Sequence, residues 1–119
     1  MVKRSRLSRL VGIVALLIWS LVIITPYISG ASNNTIYVLR VVGPIVPAVA
    51  DYLHRGISQA VENGAQAIVV ELDTPGGLVT SAQKIIQDFL ASRIPIIVYV
   101  SPAGGWAGSA GAFITLSAH

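Results

Sequence analysis

The chain has 119 residues, 54% of them hydrophobic, with eight Lys/Arg, five Asp/Glu and a formal net charge of +3. That length suits one small domain, and the absence of cysteine excludes disulfides, thiolate catalysis and cysteine zinc sites. From Arg40 onward four basic side chains face five acidic ones, a net of −1, so the folded part carries no basic surface for nucleic acid.

The positive charge is concentrated at the start, in Lys3, Arg4, Arg6 and Arg9, and Leu10 to Ile24 follows as fifteen residues without a charge. Pro26, Ser29, Gly30 and Ala31 then offer a helix breaker and small residues suited to a cleavage site. The apolar stretch also extends as nineteen mostly apolar residues, Leu10 to Ile28, near the roughly 20 needed to cross a bilayer. Residues 1–32 therefore read as a signal peptide or an uncleaved hydrophobic anchor helix. With the basic flank on the cytoplasmic side, the remainder, residues 33–119, is expected outside the cytoplasm, secreted or membrane-associated.

Thr35 to Val42 is rich in β-branched and apolar residues, which predicts a strand ended by Gly43-Pro44. From Pro47, residues Val49, Leu53, Ile57, Ala60 and Val61 recur every three or four positions, which predicts a helix to about Asn63 with Gly64 at its C-terminus. Ala67 to Leu72 is a short apolar run interrupted only by Glu71, the pattern of a strand covered on both faces. After Pro75-Gly76-Gly77 a second helix is predicted, with Val79, Ala82, Ile86, Phe89 and Leu90 on its apolar face and Thr80, Ser81, Lys84, Gln87 and Asp88 elsewhere. Ile94 to Val100 is a third strand, and a third helix begins at Ser109. The alternating order predicts an α/β fold, a parallel sheet with covering helices. About 85 residues make a small core, and the last segment reads as a truncated domain in which Phe113, Ile114 and Leu116 lack cover.

Two loops carry chemistry. Ser109, between Gly108 and Gly111 at a helix start, is placed as a nucleophile, and the N–H of Ala110 belongs to the unpaired first turn. Pro75-Gly76-Gly77 follows the second strand, where its bare N–H groups can help to stabilise an oxyanion at the carboxyl end of the sheet. Each signal alone has a plainer reading, a turn in one case and a serine N-cap in the other. Ala107 stands where the nucleophile elbow G-x-S-x-G has glycine, so an α/β-hydrolase is not indicated. Only His54 and His119 represent histidine, far apart in sequence, and no metal or cofactor site is expected.

Leu72-Asp-Thr-Pro-Gly-Gly-Leu78, Ser92-Arg-Ile-Pro-Ile-Ile-Val-Tyr-Val100, Pro102 with Ala107-Gly-Ser-Ala-Gly111, and Ser117-Ala-His119 resemble NfeD-type membrane-bound serine proteases of the ClpP class, in the ClpP/crotonase superfamily. The resemblance runs from about Ile36 to His119 and includes Tyr52 to Ala60 before Gly64-Ala65. It implies a partial ClpP/crotonase-like protease domain with Ser109 as nucleophile and Gly77, beside Gly76, and Ala110 as oxyanion donors. It further implies a lysine base tens of residues past the serine, no cofactor, apolar peptide substrates and a stomatin-like membrane protein as partner; homo-oligomerisation is left open. A lysine base must be uncharged to act, which burial in an apolar cleft favours.

Lys84 lies opposite the apolar stripe and reads as solvated, His119 as structural, and His54 as a surface residue. Gly108 stands where the family more often has alanine, which would loosen the backbone, and Trp106 either lines the substrate groove or covers the sheet edge. The expected activity is therefore that of a membrane-associated serine endopeptidase of Ser–Lys type, with the 119 residues themselves lacking the lysine. Two readings compete: an inactive exported binding or assembly module of the same fold, and a crotonase-type thioester enzyme, against which the export signal and Ser109 argue.

Overall fold

The computed structural model describes residues 34–119, and the signal or anchor segment expected over 1–32 lies outside the described residues. Six elements follow in order: β1 (Ile36–Val42), α1 (Pro47–Glu62), β2 (Ala67–Asp73), α2 (Val79–Leu90), β3 (Ile96–Val100) and α3 (Ala110–Leu116). Among these no helix is long and apolar enough to cross a membrane.

The three strands form a parallel sheet in the order β1-β2-β3, with Ile36 opposite Ala67 and Ile68 opposite Ile96. Parallel pairing follows from the two helical crossovers, since a helix returns the chain to the same end of the sheet. Every strand therefore delivers its following loop to one rim.

The period of two in each strand decides which residues enter the core. Leu39, Val41, Ile68, Val70, Leu72 and Ile96 are buried and pack with Leu53, Ile57, Ile85, Phe89 and Ile114 from the helices. Phe89 is fully enclosed, a burial that stabilises by about 1.5–3 kcal/mol relative to an exposed ring. The alternate positions Ile36, Val38, Val42, Ile97 and Tyr99 are exposed, flanking an Arg40–Glu71 ion pair at 2.7 Å. Helices thus cover one sheet face. This corrects the expectation for β2, whose outward residues Ala67, Val69, Glu71 and Asp73 are only half-buried.

Pro47 opens α1 with its φ already set for a helix, and Gly64 takes φ 66 just beyond the end, so both predicted boundaries hold. The face of α2 matches the prediction at Ala82 and Phe89, which are buried, and at Ile86, which packs partly buried against the core, but Ser81 and Ile85 are buried while Val79 and Leu90 are exposed. Helix α2 packs on both α1 and α3. In α3, Phe113 and Leu116 are exposed as expected, but Ile114 is enclosed in the core.

Candidate active site

The loops after the three strands are stitched together by main-chain hydrogen bonds. The Ile45 N–H donates to the Gly76 carbonyl at 2.8 Å, and the Leu78 N–H donates to the Ile45 carbonyl at 2.8 Å. On the other side the Thr74 N–H donates to the Trp106 carbonyl at 2.9 Å, and the Gly108 N–H donates to the Thr74 carbonyl at 2.8 Å. These bonds continue the parallel sheet by one bridge on each side, Ile45 with Gly77 and Thr74 with Ala107. The loop holding Gly77 and the loop holding Ser109 therefore meet at the carboxyl rim, where α/β sheets place ligands.

Closeness here depends on missing side chains. A β-carbon added at Gly76 would come 2.7 Å from Ser109 Cβ, 3.0 Å from the Gly108 carbonyl oxygen and 3.3 Å from the Ala110 nitrogen. Gly76 also has φ 113, a region open to glycine and strained for other residues. At Gly108 a β-carbon would lie 2.9 Å from the Pro75 carbonyl oxygen. The expectation that Gly108 loosens the backbone is thus replaced by a steric one: it lets the two loops touch.

Ser109 has φ 49 and ψ −114, the only positive φ outside glycine among the described residues. With the Gly111 N–H bonded to the Gly108 carbonyl at 2.8 Å, residues 108–111 form a turn of type II′ character, whose second position ordinarily belongs to glycine. A serine held there stores about 1–3 kcal/mol of strain, and such outliers cluster at functional sites. Its side chain makes no capping hydrogen bond, so the plainer reading of an N-cap serine does not apply. The residue is exposed.

Ser109 opens onto a hollow of about 290 Å³ lined also by Gly77, Val79, Ala82, Gln83, Ile86, Ala110 and Phe113. Its walls are largely apolar and include the Gln83 side-chain amide. Among the described residues, neither the Gly77 N–H nor the Ala110 N–H has an intramolecular acceptor. The Gly76 N–H is different: it donates to Thr74 Oγ1 at 3.0 Å, which leaves Gly76 as a spacer rather than a donor. The structure therefore brings together one exposed hydroxyl and two unengaged N–H groups around an apolar hollow.

Among the described residues no lysine or histidine lines that hollow. Lys84 is exposed on α2, lining with Asp51, His54 and Asp88 a separate charged groove of about 370 Å³. His54 Nδ1 is 3.1 Å from Asp88 Oδ2, a surface contact between α1 and α2. His119 accepts the Ile96 N–H on Nδ1 at 3.3 Å and donates its own N–H to the Ile96 carbonyl at 3.0 Å, which ties the segment after α3 to β3. Trp106 is exposed and does not line the Ser109 hollow. Among the described residues no group of three His, Cys, Asp or Glu side chains is placed to hold a metal.

Sequence reasoning passed over Thr74 and the apolar lining at Val79, Ile86 and Phe113. Thr74 was findable, because a threonine two residues before a glycine in a turn can bond the glycine N–H through its hydroxyl. The lining residues had no such signal, since they look like ordinary helix-face positions.

Over 88 residues the chain is 41% identical to the membrane-bound protease PH1510 of Pyrococcus horikoshii, a match covering 74% of this chain and 20% of that protein. It is 36% identical to the membrane protein NfeD1b of Bacillus subtilis, with the same coverage. The chain thus spans about a fifth of the length of the curated relatives it matches.

Among solved structures it superposes on the 1510-N membrane protease specific for a stomatin homolog from Pyrococcus horikoshii with a TM-score of 0.69 at 41% identity, covering 73% of this chain and 44% of that one. A mutant of the 1510-N protease in complex with a substrate peptide matches with a TM-score of 0.70 at 42% identity, covering 72% and 39%. A ClpP1 mutant from Listeria monocytogenes shares the fold alone, with a TM-score of 0.63 at 21% identity over 68% and 46% of the two chains. The family profile described as NfeD1b, N-terminal domain, matches residues 35–119, most of the chain, and the chain belongs to that family.

Proposed function

We propose that this chain supplies the nucleophile and the oxyanion-binding half of a membrane-associated serine endopeptidase that works through a Ser–Lys dyad on the extracytoplasmic side. The observation that carries the reading is the strained turn holding the exposed Ser109 hydroxyl beside the unengaged N–H groups of Gly77 and Ala110.

Ser109 Oγ attacks the carbonyl carbon of a peptide bond, and the carbonyl oxygen takes negative charge between the Gly77 and Ala110 N–H groups. The serine proton passes to a lysine amine and then to the departing amine, leaving an acyl-serine that water hydrolyses. Neither Lys84 nor either histidine is placed for that step, so the lysine comes from outside residues 34–119. Apolar walls at Val79, Ala82, Ile86 and Phe113 favour an apolar side chain beside the scissile bond. The substrate backbone lies extended, read by main-chain hydrogen bonds. A stomatin-like membrane protein is the natural substrate or partner, by analogy with the Pyrococcus horikoshii protease, which is specific for a stomatin homolog.

The test is cleavage of apolar peptides by the protein expressed from its complete gene in detergent or vesicles. Ser109→Ala should lower turnover by more than about a thousandfold while circular dichroism is retained. Cleavage that survives Ser109→Ala would remove the assignment, and peptide binding without Ser109-dependent cleavage would make the domain a non-catalytic binding module.

A further inference from the structure

We infer that Thr74 is a positioning residue for the Ser109 site, fixing the turn that carries Gly77 against the turn that carries Ser109. As a statement about catalysis this rests on the serine protease reading. As a statement about the loops it stands alone.

Thr74 is fully buried, where a hydroxyl needs a partner. Its Oγ1 accepts the Gly76 N–H at 3.0 Å and donates to the Gly76 carbonyl at 3.3 Å. With the Gly76 N–H held, the peptide plane after Pro75 is set, and the next N–H, that of Gly77, remains the unengaged donor at the hollow. The main chain of the same residue grips the opposite loop on either side of Ala107, through the Trp106 carbonyl and the Gly108 N–H next to Ser109. Its γ-methyl lies against Gly111 in the first turn of α3, so close that a β-carbon there would come within 2.5 Å. The side chain thus touches both arms of the site, but its hydroxyl is what fixes the Gly76-Gly77 arm, whereas the serine arm is already held by the Thr74 main chain and the methyl only packs beside it.

Two substitutions separate these contacts. Thr74→Val keeps the shape and the methyl but loses the hydroxyl, whereas Thr74→Ser keeps the hydroxyl and loses the methyl. In the protein from its complete gene, assayed on an apolar peptide, Thr74→Val should lower kcat about 10- to 100-fold with KM within about threefold, the signature of a displaced transition-state donor. Affinity for a peptide aldehyde, which forms a tetrahedral adduct on the serine, should fall by a similar factor. Thr74→Ser should stay within about threefold of the parent on both measures. Unchanged kcat in Thr74→Val, or an equal fall in Thr74→Ser, overturns the inference.

Amide hydrogen exchange gives a readout independent of catalysis. Thr74→Val should speed exchange in residues 75–78 and 105–111 and leave the three strands as protected as before, while Thr74→Ser should match the parent. Unaltered exchange at both loops overturns the inference, and so does an increase spread evenly over the strands, which would mark general destabilisation. If the parent protein shows no Ser109-dependent turnover, the protease reading fails while exchange still decides the role of Thr74.

Discussion

The strain at Ser109 has a measurable size. At φ 49 and ψ −114 a side chain costs about 1–3 kcal/mol that glycine would not incur. Glycine in turn adds unfolded-chain entropy that destabilises by roughly 0.5–1 kcal/mol. Ser109→Gly should therefore be more stable than Ser109→Ala by about 1 kcal/mol, because alanine keeps the β-carbon and with it the strain. Ser109→Ala itself should lie within about 0.5 kcal/mol of the parent, since the hydroxyl makes no capping bond and the residue is exposed. For a domain of this size 1 kcal/mol corresponds to a shift of about 4–8 °C in Tm. Thermal melts of the three proteins in mild detergent, followed by circular dichroism, read the difference directly. A Ser109→Gly melting point at or below that of Ser109→Ala would show that the turn is relaxed, and the argument from strain to function would fall.

Gly76→Ala should destabilise by more than about 2 kcal/mol, because a β-carbon meets both unfavourable φ and the Ser109 and Gly108 atoms; the urea midpoint measures it. The same change should abolish labelling of Ser109 by a fluorophosphonate, since the two loops must part to admit a methyl group. Phe89→Ala empties the centre of the helix–sheet interface and should cost about 3–5 kcal/mol in the same denaturation assay.

How far the sequence was legible depended on how locally each feature is determined. β1, α1 and β2 were readable because β-branched runs, a proline at the helix start and a glycine past its end are local signals. The buried face of α2 was legible only in part: Ala82 and Phe89 lie in it as the periodicity predicts, but Val79 and Leu90 at the two ends of this short helix are exposed while Ser81 and Ile85 are buried, a rotation set by packing against α1 and α3 that no local pattern encodes. Coverage of β2 misled for a similar reason: a nearly continuous apolar run says that a strand is apolar on both sides, not that both sides are packed. At the site, Ser109, Gly77 and Ala110 were visible as residue types between strand and helix. The positive φ of Ser109 and the bond from Gly76 to Thr74 depend on how two distant loops meet, and no local pattern encodes that.

The stitching between the loops separates two kinds of inheritance. The proposed anion cradle is built from backbone and from glycines, held by Ile45 and Thr74 main-chain atoms, whereas the surrounding wall is built from Val79, Gln83, Ile86 and Phe113 side chains. Substitution in the wall changes what is recognised without disturbing the cradle. Divergent descendants of such a chain can therefore keep one chemistry while drifting in preference, and the rim of α2 and α3 is where that drift should be sought.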